Sequence, residues 1–209
     1  MWGTASRHSS GTPPDGTTRN ERLTDHEQCV VLVDEHDREV GVAEKLRAHQ
    51  GGGMLHRAFS VFVFNDRGEL LLQQRSKDKP LFAGCWSNAC CSHPGPEADI
   101  EAQARRRLAF EMGIDAPLRE VLTFTYRATD PVSQLTEHEL DHVLIGACND
   151  DPTPCAQEVD DWRWVSVKSL LAEIAADGDS FSPWMPVALR KLIERRAVPT
   201  PACDSVGEN

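Results

Sequence analysis

The chain has no run approaching the roughly 18 consecutive apolar residues that a membrane span requires, and its opening residues carry no apolar export signal. The expectation is a cytoplasmic protein that neither inserts into a membrane nor leaves the cell. Positive charge is also scarce, because 22 lysines and arginines stand against 33 aspartates and glutamates, for a formal net charge of −11. Such a surface repels nucleic acid and anionic lipid, so an anionic substrate needs a local cluster of cations inside an acidic protein. A disulfide scaffold is missing too: seven cysteines cannot all pair, and their spacing suits a reducing compartment. Cys29, Cys148 and Cys155 read as core or loop residues. The core shows neither internal repeats nor low complexity.

What is present is enough chain for one domain, since 209 residues can bury a core without cross-links. Residues 1–27 are rich in Ser, Thr, Gly and Pro and read as a disordered tail. Residues 28–196 read as the domain and 197–209 as a second polar tail. Strands are predicted at 29–33 and at 58–64, the latter apolar on both faces. Asn65-Asp66-Arg67-Gly68 turns that strand into another at 70–73. A helix is predicted over 98–112, closed by Gly113, then strands at 121–126, 142–148 and 162–165. Ser166 caps a helix to Ala176, and Pro186 opens a last helix to Arg196. This order describes a single mixed α+β domain.

The chemistry concentrates in Cys85-Trp86-Ser87-Asn88-Ala89-Cys90-Cys91-Ser92-His93-Pro94, a segment that reads as turn-like and sets a thiol two residues from an imidazole. His49 and His56 flank Gly51-Gly52-Gly53, and Glu137 and Glu139 share one face if their segment is extended. Three imidazoles and two carboxylates suit an octahedral divalent metal. A structural zinc site on Cys85, Cys90, Cys91 and His93 is a poorer fit, because its ligands crowd into nine residues instead of forming two separated pairs. Arg75, Lys77 and Lys79 precede the cysteine segment, and Lys45 and Arg105-Arg106-Arg107 add further cations. These are either solvated charges or a diphosphate cradle, with magnesium carried on the phosphates and held by a carboxylate such as Glu111. Tyr126 is either a strand end or a hydrogen-bond partner for an active-site carboxylate. Trp184 is either core packing or an aromatic face for a carbocation.

Taken together, these residues resemble the type 1 isopentenyl-diphosphate isomerases, a family of the Nudix-like superfamily. The resemblance covers roughly 29–195. It rests on Lys45 with His49, Leu55-His56-Arg57-Ala58-Phe59-Ser60, Gln73-Gln74-Arg75-Ser76, the Trp86 to Pro94 segment, Tyr126 to Asp130, Glu137-His138-Glu139 and Phe181 to Met185. It implies a Nudix-like mixed sheet flanked by helices, and reversible conversion of isopentenyl diphosphate to dimethylallyl diphosphate by protonation and deprotonation. Cys91 and Glu139 are then the catalytic pair, with Tyr126 beside Glu139. His49, His56, His93, Glu137 and Glu139 would bind manganese or another divalent ion, zinc included. Glu111 and the backbone carbonyl of Cys91 would hold magnesium with the substrate diphosphate. Lys45, Arg75, Lys79, Arg107 and Trp184 would bind substrate in a monomer or weak homodimer.

A Nudix pyrophosphohydrolase is the rival. Counting back from Gly113, Ser92 and Ala98 stand at the upstream Gly and Glu of the hydrolase box, and Arg107 and Phe110 stand at two of its carboxylates. A box short of three carboxylates binds its metals poorly. The chain also departs from familiar isomerases at Ala83-Gly84 and in the triple glycine, which is expected to loosen the His49 loop.

Overall fold

The computed structural model describes residues 29–199. The tails expected over 1–27 and 197–209 lie outside those residues, apart from 197–199. In chain order the elements are β1 (Cys29–Val33), β2 (Glu39–Glu44), α1 (Lys45–His49), β3 (His56–Phe64), β4 (Glu69–Arg75), β5 (Trp86–Asn88), β6 (Cys90–Ser92) and α2 (Ile100–Met112). There follow β7 (Leu118–Thr129), β8 (Thr136–Ala147), β9 (Val159–Ser166), α3 (Val167–Ala176), a 3-10 turn at Gly178–Ser180 and α4 (Trp184–Glu194). This is the α+β order expected. Among the described residues no helix is long and apolar enough to cross a membrane.

The strands build one nine-stranded mixed sheet around β3. β3 runs parallel to β8 from His56↔Glu139 to Phe64↔Ala147 and antiparallel to β6 through Ser60↔Cys91. It is buried along its whole length because both faces of the sheet are covered. Alternation in a strand sends successive side chains to opposite faces. Phe59, Val61 and Val63 therefore join Ala104, Leu108 and Met112 of α2 in one core, while Phe62 and Phe64 join Leu122, Phe124, Val143, Met185 and Leu189 in another, under α4. The second face also receives His56 and Ser60, on the same period as Phe62.

Several elements differ from the sequence expectations. β2 and α1 were not anticipated; Val40 and Val42 recur at the strand period, but β2 is almost wholly exposed and the pattern extends no further. The Cys85–Pro94 segment is not a plain turn; it carries β5 and β6. β8 begins six residues earlier than expected, because its first half carries Glu137, Glu139 and Asp141 where an apolar pattern would mark a strand. α2 starts at Ile100, with the Asp99 carboxylate accepting from the Ala102 N–H at 3.1 Å. α4 starts at Trp184, which puts Pro186 inside its first turn, where an amide donor has no helical partner in any case.

Candidate active site

Cross-strand register assembles the site. Tyr126 of β7 lies opposite Glu139 of β8, Glu139 lies beside His56 of β3, and Ser60, two pleats along β3, lies opposite Cys91 of β6. Glu137, Glu139 and Asp141 alternate along β8, so all three share the face carrying His56 and Ser60. The remaining imidazoles come from α1 and from the residue after β6. Arg57 fastens the β1–β2 hairpin ahead of α1, donating to Asp37 Oδ1 and Glu39 Oε1 at 2.7 Å each. Glu44 caps α1 by accepting from the Leu46 and Arg47 amides. The glycine loop that follows is pinned rather than loose. Gly51 and Gly53 take the left-handed φ values of 60° and 70° that side chains resist, and the Met54 N–H donates to Ala48 O at 2.8 Å.

The ligand atoms of His49, His56, His93, Glu137 and Glu139 all lie within 4.8 Å of one another. Two of the imidazoles have their tautomers set by main-chain carbonyls, which can only accept. His49 Nδ1–H donates to Lys45 O at 2.6 Å and His56 Nδ1–H to Met54 O at 2.8 Å, leaving both Nε2 lone pairs facing inward. His49 Nε2 meets Glu137 Oε2 at 2.7 Å, an approach of two electron-rich atoms that requires a proton or a cation between them. Burial pulls the His49 pKa down, but the Glu137 carboxylate outweighs it and the net shift is upward. His56 Nε2 is fully buried without a hydrogen-bond partner and faces two carboxylates, 3.5 Å from Glu139 Oε1 and 3.9 Å from Glu137 Oε2, where a cation would be shared among the three. The donor set therefore fits a divalent metal ion.

Beside this cluster is a cavity of about 380 Å³ lined by Cys91, Tyr126, Glu137, Glu139 and Trp184 among others. Tyr126 donates its hydroxyl to Glu139 Oε2, while His93 Nε2 meets Glu139 Oε1 at 2.9 Å. Burial drives the Cys91 thiol up to about 12, with the Asp141 and Glu111 charges adding to the effect. Cys91 is thus a thiol, not a thiolate, at neutral pH. It donates to Asn88 Oδ1 at 3.2 Å and accepts from Trp184 Nε1 at 3.1 Å. Burial and the Glu139 charge push both Tyr126 and Asp141 well above their ordinary values.

Lys45, Arg75, Lys79 and Arg107 line the same cavity. Arg75 is tethered through the carbonyls of Leu81 and Phe82 and lies over the Trp184 ring, 5.3 Å from its centroid. Arg107 donates to Glu111 Oε1 at 2.7 Å and pairs with Glu158 Oε1 at 2.9 Å. Glu111 is buried behind the cavity wall, its second oxygen accepting from Gln73 at 3.2 Å. Lys77 is exposed and is not among the lining residues, and Arg105 pairs outward with Asp115. Only Arg107 of the arginine run reaches the cavity, and Phe110 is half exposed.

Four residues at the site escaped sequence reasoning as functional groups. Cys29, expected to be core or loop, lines the cavity. Asp141 continues the period-2 carboxylates of β8, a signal the sequence did contain. Glu158 carried none, because Lys79 and Arg107 are distant along the chain; Asn88 stands within the cysteine segment, but its ties to Val61 and Trp184 cross the fold.

Residues 54–185 match the NUDIX domain family. Among solved structures, DR0079 from Deinococcus radiodurans aligns with a TM-score of 0.64 at 20% identity, covering 78% of this chain and 98% of that one. The MutT protein from Methanosarcina mazei Go1 aligns at 0.56 and 18%, covering 69% and 96%. These likenesses concern the fold. Sequence relatives say more. Isopentenyl-diphosphate Delta-isomerase 2 of Aromatoleum aromaticum is 44% identical over 82% of this chain and 90% of its own length. The isopentenyl-diphosphate Delta-isomerase of Nocardia farcinica is 46% identical over 77% and 91%, and that of Halorhodospira halophila 45% over 81% and 95%. With about four fifths of this chain and nine tenths or more of each relative covered, the chain belongs to the isopentenyl-diphosphate Delta-isomerase family within the NUDIX fold.

Proposed function

We propose that the protein interconverts isopentenyl and dimethylallyl diphosphate, an isomerisation that serves isoprenoid synthesis. The observation that carries this reading is one cavity holding the Cys91 thiol and the Tyr126–Glu139 pair together with four cations. An alkene is a very weak base, so its protonation needs a strong acid, a site that tolerates a tertiary carbocation and no water to trap it.

Glu139 with Tyr126 and Cys91 are the two proton-transfer groups: one delivers a proton to the terminal CH2 of isopentenyl diphosphate, leaving the positive charge on the branched carbon, and the other, in its deprotonated form, takes a proton from the adjacent CH2 as the C–H electron pair becomes the new double bond. The reverse reaction exchanges the donor and acceptor roles. No atom is gained or lost overall. Trp184 presents its N–H to Cys91 Sγ, which holds the thiol in place and stabilises its thiolate form. The buried rings of Phe82 and Trp184 and the Tyr126 ring exclude water from this end.

His49, His56, His93, Glu137 and Glu139 would hold the divalent ion, manganese or a similar metal, and its Lewis acidity when bound would strengthen the Glu139–Tyr126 acid. Lys45, Arg75, Lys79 and Arg107 grip the diphosphate, and Glu111 with the Cys91 carbonyl would hold magnesium on it. Binding the diphosphate positions the alkene between its two proton-transfer groups.

Hydrolysis of a diphosphate has less support. Where the hydrolase box needs carboxylates, Arg107 is a cation in the cavity wall and Phe110 faces outward. The test is to incubate manganese-loaded protein with isopentenyl diphosphate and magnesium, following dimethylallyl diphosphate and phosphate together. Isomer without phosphate is expected; phosphate without isomer would replace this reading with hydrolysis.

A further inference from the structure

The carboxylate of Glu158 lies in the wall of the cavity, between two of the cations that face it. One oxygen pairs with Lys79 Nζ and the other with Arg107 Nη2. Its main chain is fixed as well. Ser76 N–H donates to Glu158 O at 3.0 Å, and Glu158 N–H donates to Cys155 O at 2.9 Å. Glu158 thereby ties the 76–79 loop, which carries Lys79, both to β9 and to α2. Beyond Arg107 the pattern continues through Glu111 to Gln73, so that Lys79, Glu158, Arg107 and Glu111 alternate in charge.

A site built only to capture a polyanion has no use for an anion of its own on the cavity wall, since each unit charge a few ångströms from a phosphate oxygen opposes binding. We infer that Glu158 is a specificity-determining counter-charge. It holds Lys79 and Arg107 in register while lowering the net positive charge of the cradle, so that the site takes a diphosphate as its divalent-metal complex in preference to the bare anion. The inference rests on the reading above that Lys79 and Arg107 receive the diphosphate. Substrate entry exchanges one Glu158 oxygen at Lys79 for a phosphate oxygen, while the Arg107 pair keeps the carboxylate in place for product release.

Inorganic pyrophosphate is the probe, titrated by calorimetry into the full-length protein with and without magnesium. The wild type is expected to bind it with magnesium and much more weakly without. Failure of the wild type to bind under either condition would refute the cradle itself. Glu158→Gln keeps size and a hydrogen-bond acceptor but removes the charge. It should bind bare pyrophosphate about tenfold or more tightly than the wild type, shrinking the dependence on magnesium. Glu158→Asp retains the charge and should retain that dependence. Unchanged or weaker binding of bare pyrophosphate by Glu158→Gln, or loss of the metal preference in Glu158→Asp, would overturn the inference. Should the glutamine variant not fold, Glu158→Ala also lacks the charge and is expected to shift the same way.

Discussion

The indole N–H of Trp184 lies 3.1 Å from Cys91 Sγ and 3.1 Å from Asn88 Oδ1, so a residue at the start of α4 fixes a thiol 93 positions earlier in the chain. Asn88 completes the arrangement. Its amide nitrogen donates to Val61 O at 3.1 Å and to Cys90 O at 2.8 Å, and those carbonyls leave Oδ1 no choice but to face the thiol. Trp184→Phe keeps the ring and removes the N–H. It is expected to lower kcat by about 10²-fold to 10³-fold, as loss of one positioned donor does, with little change in KM. An equal rise in KM would assign Trp184 to substrate binding instead.

Removing either proton-transfer group should stop turnover without unfolding the protein. Cys91→Ala and Glu139→Gln are expected to lose at least about three orders of magnitude in kcat, with thermal transitions near that of the wild type. Near-normal rates in either variant would sink the assignment.

Cys91 should resist alkylation. With its thiol pushed up to about 12, only about one molecule in 10⁵ carries a thiolate at pH 7. In metal-free protein, peptide mapping after iodoacetamide should find Cys91 far less modified than Cys29 and its modification rising steadily above pH 9. The same shift has a stability consequence. A folded-state value above the unfolded one contributes stability that is complete below the unfolded value near 8.5 and is lost as pH rises toward the folded one. Rapid alkylation at pH 7 would show that the thiol is ionised.

Acid should loosen the 130–135 turn. Burial raises the Asp130 pKa, but the carboxylate accepts from the Val132 amide, the Ser133 hydroxyl and the Phe82 amide, and the net shift is downward. A lowered folded-state value contributes stability that is present above the unfolded value near 3.9 and lost as pH falls through the folded one. Asp130→Asn should therefore be less stable than the wild type at pH 7, with the difference closing below about pH 4. A gap independent of pH would mean that charge is not its source.

Gly113 is constrained twice over. Its φ is 68°, and a Cβ there would come within 2.7 Å of Thr153 O. Gly113→Ala is expected to cost about 2 kcal/mol or more, measured by denaturant unfolding. A change under about 0.5 kcal/mol would show that the segment around Thr153 yields freely.

Loss of the buried ligands should release metal. His56→Ala and Glu137→Gln are expected to leave protein that elemental analysis finds depleted in divalent ion after dialysis, where the wild type retains it. Equal retention would place the metal elsewhere.

The sequence by itself determined the long-period features. A run apolar on both faces and the Asn65–Gly68 turn placed β3 and β4, and helical composition with the Gly113 stop placed α2. The types and order of His49, His56, Cys91, His93, Tyr126, Glu137 and Glu139 were enough to point to one chemistry, because side-chain type sets what a group can ligate or protonate. Only the tertiary structure decided what those groups face. β2 was missed because its only period-two signal, Val40 and Val42, is short and exposed, an edge strand having no buried face to extend the pattern. Of three adjacent arginines, Arg107 alone reaches the cavity, since 100° of helical rotation per residue turns its neighbours away. The tie of Trp184 to Cys91 and of Glu158 to Lys79 depends on strand register and helix docking over separations of 93 and 79 residues. Contacts of that range arise when the chain closes on its core, and no local pattern of residues encodes them.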